Sequence, residues 1–196
     1  MPAGGCVWPA VCPDATVTSS ERGYSLIELM MVVGLIGVLG AMVTLSIAAV
    51  RPGYQADGAM RVVMAEITAA RDTAVSQRRF VRVDVVGDTG LTVTRVEFPS
   101  GETQLRNFGF EGGIEFGLVD GAGDTPDEFG NDAAVPASLL FNSDGMLVDA
   151  GGDPVNETLF LVRPGAPDTL RAVTVHGATG RIRAYRWNGG DRWTRA

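Results

Sequence analysis

The stretch that decides the fold is residues 22–50, RGYSLIELMMVVGLIGVLGAMVTLSIAAV. From Tyr24 to Val50 the only ionisable side chains are those of Tyr24 and Glu28. As an α-helix, the 27 residues of this run would extend about 40 Å, which exceeds the roughly 30 Å hydrocarbon core of a bilayer. The sequence therefore predicts a single membrane-spanning helix over residues 24–50.

Glu28 is the unusual residue of this run, because a carboxylate at membrane depth is costly unless it has a partner or a function. A secretory signal peptide has a shorter apolar region with its cleavage site after it, whereas Gly23 precedes the run here. A cut after Gly23 would place a new α-amine on Tyr24, one helical turn from Glu28. We hypothesise that the amine of one subunit pairs with Glu28 of its neighbour in a filament and sets the axial register.

The segment Arg22-Gly23-Tyr24-Ser25-Leu26-Ile27-Glu28-Leu29 resembles the class III prepilin signal. The resemblance implies that residues 1–23 are a leader, that a prepilin peptidase cuts after Gly23, and that Tyr24 is then N-methylated. Glu28 falls at the fifth mature position, where pilins and pseudopilins carry the glutamate used in filament assembly. Tyr24 departs conservatively from the usual Phe. The implied location is the bacterial inner membrane, with a single pass and a periplasmic headpiece.

Beyond the apolar run, residues 51–79 predict an amphipathic second half of the same helix. Pro52-Gly53 should interrupt and kink it, since proline removes a backbone hydrogen bond. Asp57 and Arg61 are four residues apart and are expected to pair across one turn. The apolar positions recur at steps of three and four and are Met60, Val63, Met64, Ile67, Ala70, Ala74 and Val75.

Three glycines on the apolar helix, Gly34, Gly37 and Gly40, recur every third residue. Small residues allow helices to approach closely in membranes. Glycine also weakens a helix by about 1 kcal/mol relative to alanine. Filament packing or local unwinding is the favoured interpretation, and a general weakening of the helix is the alternative.

Residues 80–196 are predicted to form a β-rich headpiece, so the fold class is α+β, a long helix packed on an antiparallel sheet. Alternation over 80–86 and 91–98, with a turn between, predicts a hairpin. The Gly-, Asp- and Pro-rich stretch 120–136 should be an exposed excursion. Further predicted strands are Gly113–Leu118, Leu139–Phe141, Leu159–Arg163, Arg171–His176 and Arg181–Trp187.

A second resemblance narrows the family to GspH/FimT-type minor pseudopilins and minor pilins, and with the anchor it covers most of residues 22–187. Residues 69–75 followed by 81–83 resemble their helix-to-strand passage, residues 140–145 their mid-domain strand and turn, and residues 173–176 and 180–183 their closing strands. The family implies a structural subunit at or near a filament tip, with no cofactor and no enzymatic activity. Its implied partners are other pilin or pseudopilin subunits and the peptidase.

No catalytic constellation emerges from the residue types. His176 is the only histidine, and its place in a predicted strand favours a structural role. No Cys/His spacing typical of a metal site is present. Cys6 and Cys12 lie in the predicted leader, so the mature chain would contain no cysteine. Four acidic residues could gather around Ca²⁺ but do not form a known calcium loop, and a solvated acidic loop is favoured; they are Asp124, Asp127, Glu128 and Asp132.

Charge is distributed unevenly, although the whole chain carries −7. Residues 97–157 hold 13 acidic residues and one arginine, a net −12, whereas residues 171–196 carry +5. In the basic tail, Tyr185, Trp187 and Trp193 are interleaved with arginines, a composition that suits nucleic acid. The candidate contact residues for DNA or a partner are Arg181, Arg183 and Arg186, followed by Arg192 and Arg195.

Arg181 and Arg183 should project from one face of a strand. The run Gly180-Arg181-Ile182-Arg183 resembles the Gly-Arg-x-Arg element of DNA-binding minor pilins, but an acidic neighbouring subunit would suit the same arginines. The favoured function is a minor pseudopilin of a type II secretion system, and nucleic acid is a less favoured partner. The alternative is a type IV pilus minor pilin that binds DNA for uptake.

Overall fold

The computed structural model describes residues 23–127, 136–190 and 192–196, with the backbone alone for 44–49. The chain forms two compact units that divide between Thr44 and Leu45. The first unit is the apolar part of the helix, and the second is the headpiece together with the helix half that packs on it.

One helix, α1, runs from Leu26 to Gln77 and confirms the predicted long helix. Pro52 lies inside this helix, so the prediction that Pro52-Gly53 interrupts the helix is wrong. Proline removes a single intrahelical hydrogen bond, and the helix continues on both sides of it.

The amphipathic face of α1 is buried where the three- and four-residue spacing placed it. Met64 is partly buried, whereas Val75 near the end of the helix is 43% exposed. Ala56 and Ala59, which were not predicted, are buried as well. The predicted positions that are buried in the main core are Met60, Val63, Ile67, Ala70 and Ala74.

The headpiece contains two five-stranded antiparallel sheets instead of the single predicted sheet. Sheet A has the order β3-β2-β1-β5-β6 and sheet B the order β10-β9-β8-β7-β4. The strands are β1 (Val81–Val86), β2 (Gly90–Val96), β3 (Glu102–Gly109), β4 (Glu115–Phe116), β5 (Ser138–Phe141), β6 (Leu147–Val148), β7 (Glu157–Arg163), β8 (Ala166–His176), β9 (Arg181–Trp187) and β10 (Trp193–Arg195).

The predicted hairpin is confirmed as β1–β2, with Val83 opposite Val93. The five other predicted strands are also found: Arg181–Trp187 has the predicted bounds (β9), three others have shifted ends, and β4 is much shorter than predicted. The strands that were not predicted are β3, β6 and β10. β3 lies at an edge of sheet A and is mostly exposed, so it lacks the buried alternation that identifies a strand.

Sheet B is covered on both faces, because one face joins the core shared with α1 and sheet A and the other carries a second cluster. Phe160, Leu170 and Tyr185 form that second cluster with Val119 and Trp193 against them. The Nε1–H of Trp193 donates to the carbonyl of Gly123 (2.9 Å). The predicted exposed excursion is therefore only partly confirmed: Asp120, Gly121, Asp124 and Pro126 are exposed, whereas Ala122 packs against the second cluster and Thr125 is buried. Residues 128–135 lie outside the described part of the chain.

Arg71 of α1 connects the turns of both sheets. Its Nε donates to the carbonyl of Gly145 after β5 (3.1 Å), and its Nη2 donates to the carbonyl of Thr179 between β8 and β9 (3.3 Å). Gly180 has a φ of +60°. A Cβ there would lie 2.0 Å from the Gly145 oxygen and 2.4 Å from the Arg71 Nε. Gly180 thus has a structural role that its place in the Gly-Arg-x-Arg run does not indicate.

Gly180→Ala is expected to destabilise the headpiece by about 2 kcal/mol more than Gly165→Ala, because overpacking a tight site typically costs roughly 1–3 kcal/mol. Both positions have positive φ, so both substitutions carry the left-handed backbone cost of about 1–2 kcal/mol. Only Gly180 meets other atoms, since nothing among the described residues lies within 4 Å of a Cβ at Gly165. Urea unfolding of the two variants would measure the difference, and equal midpoints would contradict the close approach at Arg71.

Candidate processing and assembly site

The predicted processing site lies immediately before α1. Gly23 and Tyr24 are non-helical and exposed, Tyr24 by 83%. The carbonyl of Ser25 accepts hydrogen bonds from the N–H groups of Glu28 (3.0 Å) and Leu29 (3.1 Å), which closes the first helical turn. A Cβ at Gly23 would meet no described atom within 4 Å. The segment that a peptidase would need to reach is therefore exposed.

Glu28 lies in the first turn of α1 and is exposed. Its carboxylate forms no ion pair with any residue of the described ranges. A negative charge near a helix N-terminus is favourable, but in a membrane this interaction alone leaves a costly charge. Among the described residues, nothing neutralises the carboxylate of Glu28.

The apolar half of α1 is exposed in the part of the chain that the structure describes. Leu26–Val43 has a mean hydropathy of 2.4, none of it is buried, and it is long and apolar enough to cross a membrane. A Cβ at Gly34, Gly37 or Gly40 would meet no described atom within 4 Å. An exposed apolar surface of this length indicates a membrane or an interaction site. The glycines leave room along it for close approach by another helix.

The arginines of β9 do not form one free cationic surface. Arg183 binds Asp127, and Arg186 Nη2 lies 2.8 Å from Asp57 Oδ2. Arg181 is exposed and forms no ion pair with a described residue. The structure thus separates the three candidate contact residues, with two neutralised inside the chain and one facing solvent.

Asp57 is the centre of the arginine contacts on the helix. Its Oδ1 accepts a hydrogen bond from Arg171 Nε (2.7 Å), and its Oδ2 faces Arg186. The predicted pairing of Asp57 with Arg61 is therefore wrong. Arg171 is almost fully buried, with a side chain 7% exposed, and it also donates to the Asp168 and Leu170 carbonyls. A buried guanidinium depends on a carboxylate partner more than an exposed guanidinium does. Asp57 faces sheet B because it supplies that partner to Arg171.

Asp127 belongs to the described part of the acidic stretch and serves the fold. Burial raises the pKa of its carboxyl, but hydrogen bonds from Thr174, Arg183 and Tyr185 outweigh burial and hold the pKa below its ordinary value. The hydrogen bond with Asp127 raises the pKa of the Arg183 guanidinium, and a smaller contribution in the same direction comes from Tyr185. The carboxylate of Asp127 thus binds side-chain donors of the protein, Arg183 among them, and is not placed to coordinate a metal ion with other described residues.

The other members of the candidate calcium group do not join Asp127. Asp124 Oδ1 accepts a hydrogen bond from the N–H of Thr125 (2.8 Å), whereas Glu128 and Asp132 lie outside the described residues. Within the described ranges, no three His, Cys, Asp or Glu side chains are arranged to hold a metal ion. His176 ends β8, and its Nδ1 lies 3.1 Å from Thr179 Oγ1.

Asp127→Asn should lower the free energy of unfolding by about 1 kcal/mol at neutral pH, since it removes a charge-assisted hydrogen bond to Arg183. A depressed carboxyl pKa contributes stability that is present above about pH 4 and is lost as the pH falls through the folded-state pKa. The difference between wild type and variant should therefore shrink at pH 3. Urea unfolding at pH 7, 5 and 3, with Asp144→Asn as an exposed control, would test this; a pH-independent difference would contradict it.

Comparison with known proteins yields one family model and several solved structures. The prokaryotic N-terminal methylation motif matches residues 18–44, so the chain carries the motif that the residues around Gly23 predicted. No curated protein sequence is similar to the chain.

Two of the similar solved structures belong to different filament systems. The type IV minor pilin FimU of Pseudomonas aeruginosa is 25% identical, over 64% of this chain and 84% of that chain, with a TM-score of 0.48. The minor pseudopilin EpsH from the type 2 secretion system of Vibrio cholerae is 20% identical, over 70% of this chain and 99% of that chain, with a TM-score of 0.48.

Proposed function

We propose that this chain is a minor subunit of a pilin-like filament, and that the filament is the pseudopilus of a type II secretion system. The observation that supports it best is the methylation motif at residues 18–44, which leads into an apolar helix with no buried residue over Leu26–Val43. A helix of this kind needs lipid before assembly and other helices after it.

Assembly follows from the chemistry of the first helical turn. A prepilin peptidase cuts after Gly23 and N-methylates the new amine of Tyr24. In the filament, that cationic amine pairs with the carboxylate of Glu28 on a neighbouring subunit. An unpaired carboxylate in an apolar environment is strongly unfavourable. The axial position of a subunit that pairs its amine with Glu28 is therefore favoured over positions that leave Glu28 unpaired.

The headpiece in this proposal is periplasmic and contacts other subunits instead of acting on a substrate. Protein secretion is favoured over DNA uptake because Arg183 and Arg186 are occupied by Asp127 and Asp57. A phosphate would have to compete with an intramolecular carboxylate at each of them.

A second candidate function, DNA uptake by a type IV pilus, rests on Arg181. This side chain is exposed, and Arg192 and Arg195 of the tail are exposed as well. These arginines would bind phosphate groups in a salt-dependent way without reading base sequence.

Deletion of this chain from its own bacterium should abolish the release of folded secreted proteins into the medium and leave DNA uptake intact. The wild-type gene and the Arg181→Ala/Arg192→Ala double variant, which removes exposed arginines only, should both restore release. Secretion would be measured by quantitative proteomics of the medium, and uptake by transformation frequency. The secretion role would be overturned if the deletion strain secreted normally but lost transformation, and if the double variant failed to restore transformation. That result would favour the second candidate.

A further inference from the structure

A cleft of about 430 Å³ opens on the headpiece unit beside the end of the apolar run. α1 supplies one wall, and the other wall comes from the loop between β3 and β4 and from the last residue of β7. The lining residues are Arg51, Pro52, Gln55, Gly112, Gly113 and Arg163.

The lining of this cleft is cationic. It contains two guanidinium groups, those of Arg51 and Arg163, and no acidic side chain. Neither arginine forms an ion pair with a residue of the described part of the chain. This contrasts with Arg171, Arg183 and Arg186, which all have carboxylate partners inside the same headpiece.

Local contacts hold the walls in place. Arg163 Nη1 donates to Gln55 Oε1 (3.4 Å), and the N–H of Arg163 donates to Thr169 Oγ1 (2.9 Å). Gly112 has a φ of +85°, and a Cβ there would lie 2.7 Å from Gln55 Nε2. The backbone N–H groups of Gly112 and Gly113 donate to no acceptor among the described residues. The cleft is thus lined by two arginines without a carboxylate partner and by two glycines whose N–H groups have no acceptor among the described residues.

The ligand that suits this donor set is a phosphate group. A carboxylate can be satisfied by the fork of one arginine, whereas a phosphate accepts hydrogen bonds from several directions at once. Backbone N–H groups beside glycine residues are common anion donors because no side chain blocks the approach. The volume of the cleft exceeds the need of a bare phosphate and leaves room for a substituent on it.

The position of Arg51 in the sequence indicates the source of that phosphate. Arg51 is the first charged residue after the apolar run that ends at Val50. The helical length of residues 24–50 is about 40 Å, close to the thickness of a bilayer with its headgroup layers. We propose that the cleft binds the phosphate of an anionic phospholipid headgroup. The choice of a lipid over a free phosphate rests on the membrane anchoring proposed above.

Native mass spectrometry of the full-length mature chain in detergent would test the proposal. Phosphatidylglycerol should give a one-lipid complex, whereas zwitterionic phosphatidylethanolamine and inorganic phosphate at the same concentration should give little. Arg51→Gln and Arg163→Gln should each weaken phosphatidylglycerol binding about tenfold, as expected from the loss of one charge-assisted hydrogen bond. Arg61→Gln, at an exposed position of the same helix outside the cleft, should bind like wild type.

Three results would overturn the proposal. These are wild-type binding by both cleft variants, equal binding of the two lipids, and saturation by inorganic phosphate at the same concentration, which would reassign the cleft to free phosphate. The same spectra report the mass of the chain, so a failure of N-terminal processing is seen separately from a failure of lipid binding.

Discussion

Glu28→Gln should reduce incorporation of this chain into filaments at least tenfold while leaving the folded headpiece unchanged. Glu28 is exposed and pairs with no described residue, so its charge contributes nothing visible to the fold of the single chain. In the assembly it is the proposed partner of the Tyr24 amine. Loss of one member of a buried ion pair costs about 3–5 kcal/mol, more than a tenfold change requires.

The measurement is the fraction of the chain that co-sediments with sheared filaments, determined by quantitative immunoblotting. Glu28→Asp is the matched variant, because it keeps the charge and shortens its reach, and it should retain part of the incorporation. Circular dichroism of the purified variants checks that folding is unchanged. Full incorporation of the glutamine variant would contradict the pairing.

Asp57→Ala should lower the free energy of unfolding by about 3 kcal/mol, as expected when one member of a buried ion pair is lost. Asp57 accepts from the buried Arg171 and also faces Arg186, so the substitution leaves a buried guanidinium without its carboxylate. For a domain of this size each kcal/mol corresponds to roughly 2–4 °C in melting temperature. The expected fall is therefore about 6–12 °C in thermal unfolding of the full-length chain in detergent.

Asp72→Ala is the control for that experiment. Asp72 is on the same helix, but its side chain is 68% exposed and lies 3.9 Å from Arg71, an arrangement that contributes less than about 1 kcal/mol. Equal melting temperatures for the two variants would show that Arg171 does not depend on Asp57.

The parts of the fold that were predictable from the sequence are those specified by local patterns. The apolar spacing of α1 places Val63 and Ile67 in the core, and the alternation of β1 and β2 sets their pairing. These patterns involve residues only a few positions apart, so they can be recognised in a single sequence. β3 was not predicted, because an exposed edge strand has no buried face and so lacks a two-residue alternation of apolar side chains.

The partners of charged side chains were not predictable, because they come from distant parts of the chain. Asp57 was expected to pair with Arg61, four residues away, but it reaches Arg171, 114 residues away. Arg183 was grouped with Arg181 as a contact residue, yet its partner Asp127 is 56 residues away. No local pattern shows which carboxylate neutralises which arginine. The division of the basic tail into paired and exposed arginines therefore emerges only in the folded chain.

Mass spectrometry of the N-terminus, on protein from membranes of cells with and without the prepilin peptidase, tests the central claim most directly. The proposal predicts a mature chain that begins at Tyr24 with one methyl group on its amine, found only when the peptidase is present. An uncut chain in both strains, or a cut at another position, would contradict the filament-subunit proposal and leave Glu28 as an unexplained charge in an apolar helix.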